Sequence, residues 1–150
     1  MKRVVTGVNE QGRSYIVSVD ELDASKPHIV WDYEPSHVLN WIKAIDPKIA
    51  ADWIGPETSG GARWMFAPLP PTAEGGHQEH PGIDDEGFHT TRTVDFDFIF
   101  DGELTLVVDE GRVALQKGDF VIQQATRHAW KNESDKPALL LALIHRPNGI

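Results

Sequence analysis

At 150 residues, with 40% hydrophobic side chains, five tryptophans and six phenylalanines, the chain can bury a real core as one domain, which excludes global disorder. A formal net charge of -9, from 23 acidic residues against 14 Lys plus Arg, argues against phosphate backbones and anionic membrane surfaces as partners. Cysteine is absent, which removes disulfides, thiol nucleophiles and cysteine-type zinc sites.

The opening MKRVVTG carries no apolar signal segment, and the longest apolar run, Ala138 to Ile144, is too short to span a bilayer; a cytoplasmic location is the expectation. Val4 to Thr6 and Tyr15 to Val19 are expected as a strand pair around the polar turn Asn9-Glu10-Gln11-Gly12. Residues 36 to 54 carry helical spacing: Val38, Trp41, Ile42 and Ile45 recur every three or four positions, and Asp46-Pro47 opens a second short turn of helix. Its tryptophans suit core or interface packing, and a lid over a pocket is the sharper alternative. Ala62 to Leu69 reads as a strand, and 72 to 87 as a long Gly-, Pro- and acid-rich loop containing His77 and His80. Without a helix to fix the two rings, that histidine pair reads as solvated loop. From residue 88 onward short strands alternate with Gly and Asp turns: Thr91 to Phe100, Leu104 to Val108, Val113 to Leu115, Phe120 to Gln123, His128 to Lys131 and Ala138 to His145. Such a series indicates a sandwich or barrel.

The segment from Phe88 to Asn132 holds the candidate chemistry. His89 and Asp95 lie in its first part and His128 in its last, all in β-type sequence. Two imidazoles and one carboxylate can hold a divalent metal with open positions, or serve as an acid–base set in an apolar pocket. His89, Thr91, Asp95, Asp97 and Ile99 share one strand face, and Phe96, Phe98 and Phe100 share the other. Alternation alone therefore points the phenylalanines to the core and the aspartates to water. Should the aspartates point inward, the second of two close carboxyl groups would be forced to keep its proton. Trp64 and Trp130 can line a pocket and stack on a ring, or simply fill the core. Arg92 and Arg127 can bind a substrate carboxylate, or pair with exposed acids at the rim.

These motifs resemble the cupin superfamily, small jelly-roll barrels of the double-stranded β-helix type. Counting back seven from Gly102 places Asp95 where the first cupin motif has glutamate, His89 at its first histidine and Thr91 at its second. Gly118-Asp119 opens the second motif, with His128 at the ligand position and Asn132 at its close; Gln123-Gln124 stands where proline is usual. The run His89-Thr90-Thr91-Arg92-Thr93-Val94-Asp95-Phe96 further resembles a subgroup of small stand-alone cupins with the pattern H-x-T-x-[ST]-x-D-[FY]. Asp97 departs from that subgroup, where a small or apolar residue is usual.

The resemblance implies an all-β cupin barrel over about 60 to 146, within a single domain 1–150, preceded by an extension 1–59 with the helical insertion 36–54. It reverses the alternation argument and points Asp95 inward. It implies His89, Asp95 and His128 as ligands to one divalent metal (Fe, Mn, Ni or Zn), or a site without metal. Threonine at 91 removes one imidazole, and Asp95 is ~1.5 Å shorter in reach than glutamate. The implied activity is lyase or isomerase chemistry, dehydration first, on a hydrophobic aromatic or polyketide-like carbonyl or hydroxy compound. His128 is the first choice for acid or base, with His89 and Asp95 as partners and Thr91, Asp97, Trp64, Trp130 and Arg92 around the substrate. An iron oxygenase using the same triad and a non-catalytic ligand-binding cupin are the alternatives. A homodimer, no nucleic acid and no membrane complete the expectation.

Overall fold

In a computed structural model of the chain, the described residues are 2–21, 59–74 and 82–148, without the side chains of Trp64, Phe66 and Glu74. The expected helical insertion at 36–54 and the His77/His80 pair lie outside them.

Alternating apolar residues separated by glycine turns give nine strands among the described residues. These are β1 (Lys2–Val8), β2 (Ser14–Glu21), β3 (Ala62–Leu69), β4 (Val94–Asp101), β5 (Glu103–Val108), β6 (Gly111–Gln116), β7 (Phe120–Gln124), β8 (His128–Lys131) and β9 (Ala138–His145). They form a six-stranded sheet in the order β2-β1-β7-β4-β9-β3 and a three-stranded sheet in the order β6-β5-β8. Only β1 and β7 run parallel among these pairs. The arrangement is an all-β jelly-roll barrel, as the resemblance implies. Among the described residues no helix is long and apolar enough to cross a membrane.

The first hairpin turns where expected. Asn9 Oδ1 accepts from the backbone N–H groups of Gln11 and Arg13, and Gly12 takes the left-handed conformation the turn needs. The strand expected from Thr91 begins later, at Val94. Thr91 and Thr93 precede it but keep its facing, both buried.

The interior has two ends. Val4, Ile99, Leu104, Leu106, Leu115, Val121 and Leu140 pack one of them as an apolar cluster. Along β4 the inward positions change from Ile99 to Asp97 and Asp95. The expectation from alternation fails here: the aspartates face inward, and Phe98 packs outside against Phe120 with ring centroids 4.6 Å apart. Phe100 is 47% exposed. Neighbouring strands explain the facing. Asp95 lies opposite Gln123 on β7 and Ile144 on β9, and Asp97 lies opposite Val121 and Ala142, all four of which are buried with them.

Candidate active site

The polar end of the barrel opens into a cavity of about 150 Å³, a volume that suits a benzene-sized molecule. Met65, Ala67 and Leu69 of β3 and Leu140, Ala142 and Ile144 of β9 make its apolar wall. Asp95 and Asp97 of β4, Gln123 of β7, His128 of β8 and His89 make the polar wall, and Trp130 closes one side. His89 reaches this wall because its backbone pairs with His128 through two N–H···O bonds of 3.0 Å. The two imidazoles consequently meet, with centroids 4.3 Å apart.

The hydrogen bonds assign the states of these groups. Nδ1 of His128 lies 2.8 Å from the Thr126 carbonyl, so it carries the proton and donates. Nε2 then presents a lone pair, and the amide nitrogen of Gln123 donates to it at 3.2 Å. The same nitrogen donates to Asp97 Oδ2 at 2.9 Å. Burial first, and then the neighbouring His89, push the His128 pKa down to about 3, against the Thr126 carbonyl that raises it. His128 is a neutral imidazole with both nitrogens engaged.

The carboxyl groups behave in the opposite sense. Burial raises the Asp95 pKa to about 6, opposed by hydrogen bonds from Thr93 and Thr91. Thr93 Oγ1 lies 2.6 Å from Asp95 Oδ1 and 2.6 Å from Thr91 Oγ1, which ties the three side chains together. Burial, and then the charge of Asp95, raise Asp97 well above the usual carboxylate range, with Gln123 opposing. The pair therefore ionises in two steps, with Asp97 the carboxyl that holds its proton longer.

Of the residues singled out in the sequence, His89, Asp95, Asp97, His128 and Trp130 come together in this cavity, and Thr91 stands behind Asp95. Arg92 occupies the outward parity, is exposed, and is not among the described residues that line the cavity. Arg127 takes the rim role. It bridges Asp84 at 2.7 Å and Asp109 at 2.9 Å and covers the Phe88 ring at 4.1 Å. The side chain of Trp64 is outside the described residues. Asn132 is structural, donating to the carbonyls of Leu69 and Lys136. Gln123 and Thr93 were not expected as site residues. Gln123 registers only as a missing proline, and its role depends on its pairing opposite Asp95 across β4 and β7.

The metal set implied by the resemblance does not fit these residues. Among the described residues no three His, Asp or Glu side chains are grouped closely enough to hold a metal ion. Threonine occupies position 91, and the lone pair of His128 Nε2 faces an amide N–H rather than open space.

A family model described as "Cupin domain" matches residues 69–144. Oryzines biosynthesis cluster protein J of Aspergillus oryzae is 42% identical over 72 residues, covering 45% of this chain and 40% of that protein. Phomopsin biosynthesis cluster protein C' of Diaporthe leptostromiformis is 40% identical over 47 residues, covering 31% of this chain and 25% of that protein. The chain thus spans less than half the length of these curated relatives. Among solved structures, a cupin 2 conserved barrel domain protein from Salinispora arenicola superposes with a TM-score of 0.44 at 20% identity, covering 60% of this chain and 67% of that one. A predicted oxalate decarboxylase from Thermotoga maritima gives 0.44 at 20% identity, covering 57% and 67%.

Proposed function

This chain belongs to the cupin domain family, and from that premise we propose that its barrel is a lyase or isomerase that works by acid–base chemistry on a small hydroxy carbonyl compound. One observation carries the reading: two buried carboxyl groups on one face of β4, adjacent in that row, open onto an apolar cavity. Carboxyls in such a pair separate into a base and an acid. The occurrence of two relatives in biosynthesis clusters, as their names state, supports a small-molecule substrate.

For dehydration the steps balance as follows. Ionised Asp95 takes the proton from the carbon next to the carbonyl. The C–H electron pair becomes the new C=C bond as the β C–O bond breaks. Protonated Asp97 delivers its proton to the departing oxygen, and water leaves. One proton passing from Asp95 to Asp97 restores the pair. His128, the expected acid or base, instead fixes Gln123, and Gln123 holds Asp97 in place. Trp130 and the β3 and β9 wall exclude water from the reacting carbon.

Water elimination from a cyclic β-hydroxy ketone such as 3-hydroxycyclohexanone, followed by enone absorbance, tests this. Asp95→Asn and Asp97→Asn are each expected to lose at least about 100-fold in turnover. The rate should rise with pH through about 6, as Asp95 ionises. Stoichiometric Fe, Mn, Ni or Zn that disappears in His128→Ala, together with oxygen uptake, would replace this reading with an oxygenase. Tight ligand binding with no turnover would replace it with a carrier. The working unit we infer is a homodimer that covers Val17, Val19 and Phe100, which are about half exposed. A monomer mass in sedimentation equilibrium would contradict that.

A further inference from the structure

The geometry points to a ligand of one class: a compact neutral molecule with an apolar body and a hydroxyl-type hydrogen-bond donor, and not a carboxylate. This rests on the acid–base reading of the same cavity and adds what the cavity selects.

A count of donors and acceptors on the polar wall leads there. Both amide protons of Gln123 are committed, to Asp97 Oδ2 and His128 Nε2. The ring N–H of His128 is committed to the Thr126 carbonyl. Three of the wall's strongest donors are thus used within the protein. Its acceptors are in surplus. Gln123 is 2% exposed, lines the cavity, and its Oε1 is buried with no hydrogen-bond partner. Each aspartate has one oxygen tied to a neighbour, Oδ1 of Asp95 to Thr93 and Oδ2 of Asp97 to Gln123, so Gln123 Oε1 and the second Asp95 oxygen stand as acceptors beside the single proton of Asp97. An unmet buried acceptor costs stability that a donor from a ligand recovers.

The charge pattern agrees. No Lys or Arg lines the cavity among the described residues, while two carboxyl groups do. A bound carboxylate would sit against ionised Asp95 with no lysine or arginine to offset the repulsion, in a low-dielectric enclosure. The opposite wall is hydrocarbon from β3 and β9, which favours an apolar body over a compact ion.

Four probes of similar size decide this by amide chemical-shift titration of the whole chain near neutral pH: phenol, toluene, benzoate and benzylammonium. Phenol is expected to bind about tenfold tighter than toluene, the value of one well-placed hydrogen bond. Benzoate is expected to bind more weakly than either, and benzylammonium no more tightly than phenol. Gln123→Leu should bring phenol and toluene within about twofold of each other. The wild-type series stands alone should that variant not fold. Benzoate binding as tightly as phenol, toluene matching phenol, or benzylammonium exceeding both would each overturn the inference. The two readings also separate. The expected probe order without enone formation removes the catalytic reading and keeps the ligand class. Asp95-dependent enone formation with benzoate bound as well as phenol does the reverse.

Discussion

A carboxyl group folded into an apolar barrel is harder to ionise than the same group in an open chain. Asp95 titrates at about 6 in the fold against 3.8 in the open chain. Between those values the native state binds more protons than the unfolded one, so stability falls as pH rises through that window. His128 works in the other direction. With its pKa lowered to about 3 from 6.5, the unfolded chain takes up protons first, and stability is lost as pH falls through that range. Removing the ionisable carboxyl isolates one contribution. Asp95→Asn should raise stability at about pH 7 by about 1–3 kcal/mol, and by much less at about pH 3, where Asp95 is mostly protonated in the folded and the unfolded chain alike. Calorimetric melting at the two pH values checks it, and an equal gain at both would refute the burial argument. The site's less visible member belongs at this scale too. The sequence offers Gln123 as an ordinary polar residue, and nothing local marks it. Its meaning comes from a partner 26 positions away, Asp97, which the β4–β7 register brings to 2.9 Å.

At the level of elements, the turn between β7 and β8 aims His128. Ala125 there has φ of 50°, in the left-handed region, and its N–H donates to the Thr93 carbonyl while the next residue, Thr126, receives the His128 proton. A side chain costs about 1 kcal/mol in that conformation, so Ala125→Gly should stabilise by roughly that amount and Ala125→Val should destabilise by more. Urea unfolding measures both. A loss of stability in the glycine variant would show that the turn carries no strain. The 84–88 segment is clamped by Arg127 through Asp84, Asp109 and Phe88, and by Lys131 through the Glu86 carbonyl. These ion pairs lie at or near the surface and stabilise little. Arg127→Ala should therefore speed amide exchange at 84–88, next to the cavity, with little change in melting temperature. Unchanged exchange would mean the Asp84 turn holds itself. The strands were legible because apolar alternation and glycine turns act locally. The facing of β4 was not, because both of its faces carry a coherent set, phenylalanines on one and carboxyls on the other. Which set turns inward depends on the cavity made by β3, β7 and β9. The family resemblance supplied the facing that periodicity lacked.

For the whole molecule, an acidic chain without cysteine builds a barrel with one end packed by hydrocarbon and the other kept open for two carboxyl groups. Composition and turn spacing sufficed for the barrel, since closing short strands into two sheets is the common way to bury so alternating a pattern. Among the described residues the His89, Asp95 and His128 set implied by the same resemblance is not grouped closely enough to hold a metal, and Gln123 occupies the His128 lone pair. The account's central claim is that Asp95 and Asp97 act as a coupled pair in which Asp95 gives up its proton first and Asp97 keeps its own. NMR titration of the side-chain carboxyls in isotope-labelled aspartate, with and without EDTA, tests it directly. The account predicts one carboxyl titrating near 6, a second titrating at higher pH, both assigned by Asp95→Asn and Asp97→Asn, and neither moved by the chelator. Both carboxyls ionised from about pH 4 upward, the ordinary range for exposed aspartate, would contradict it.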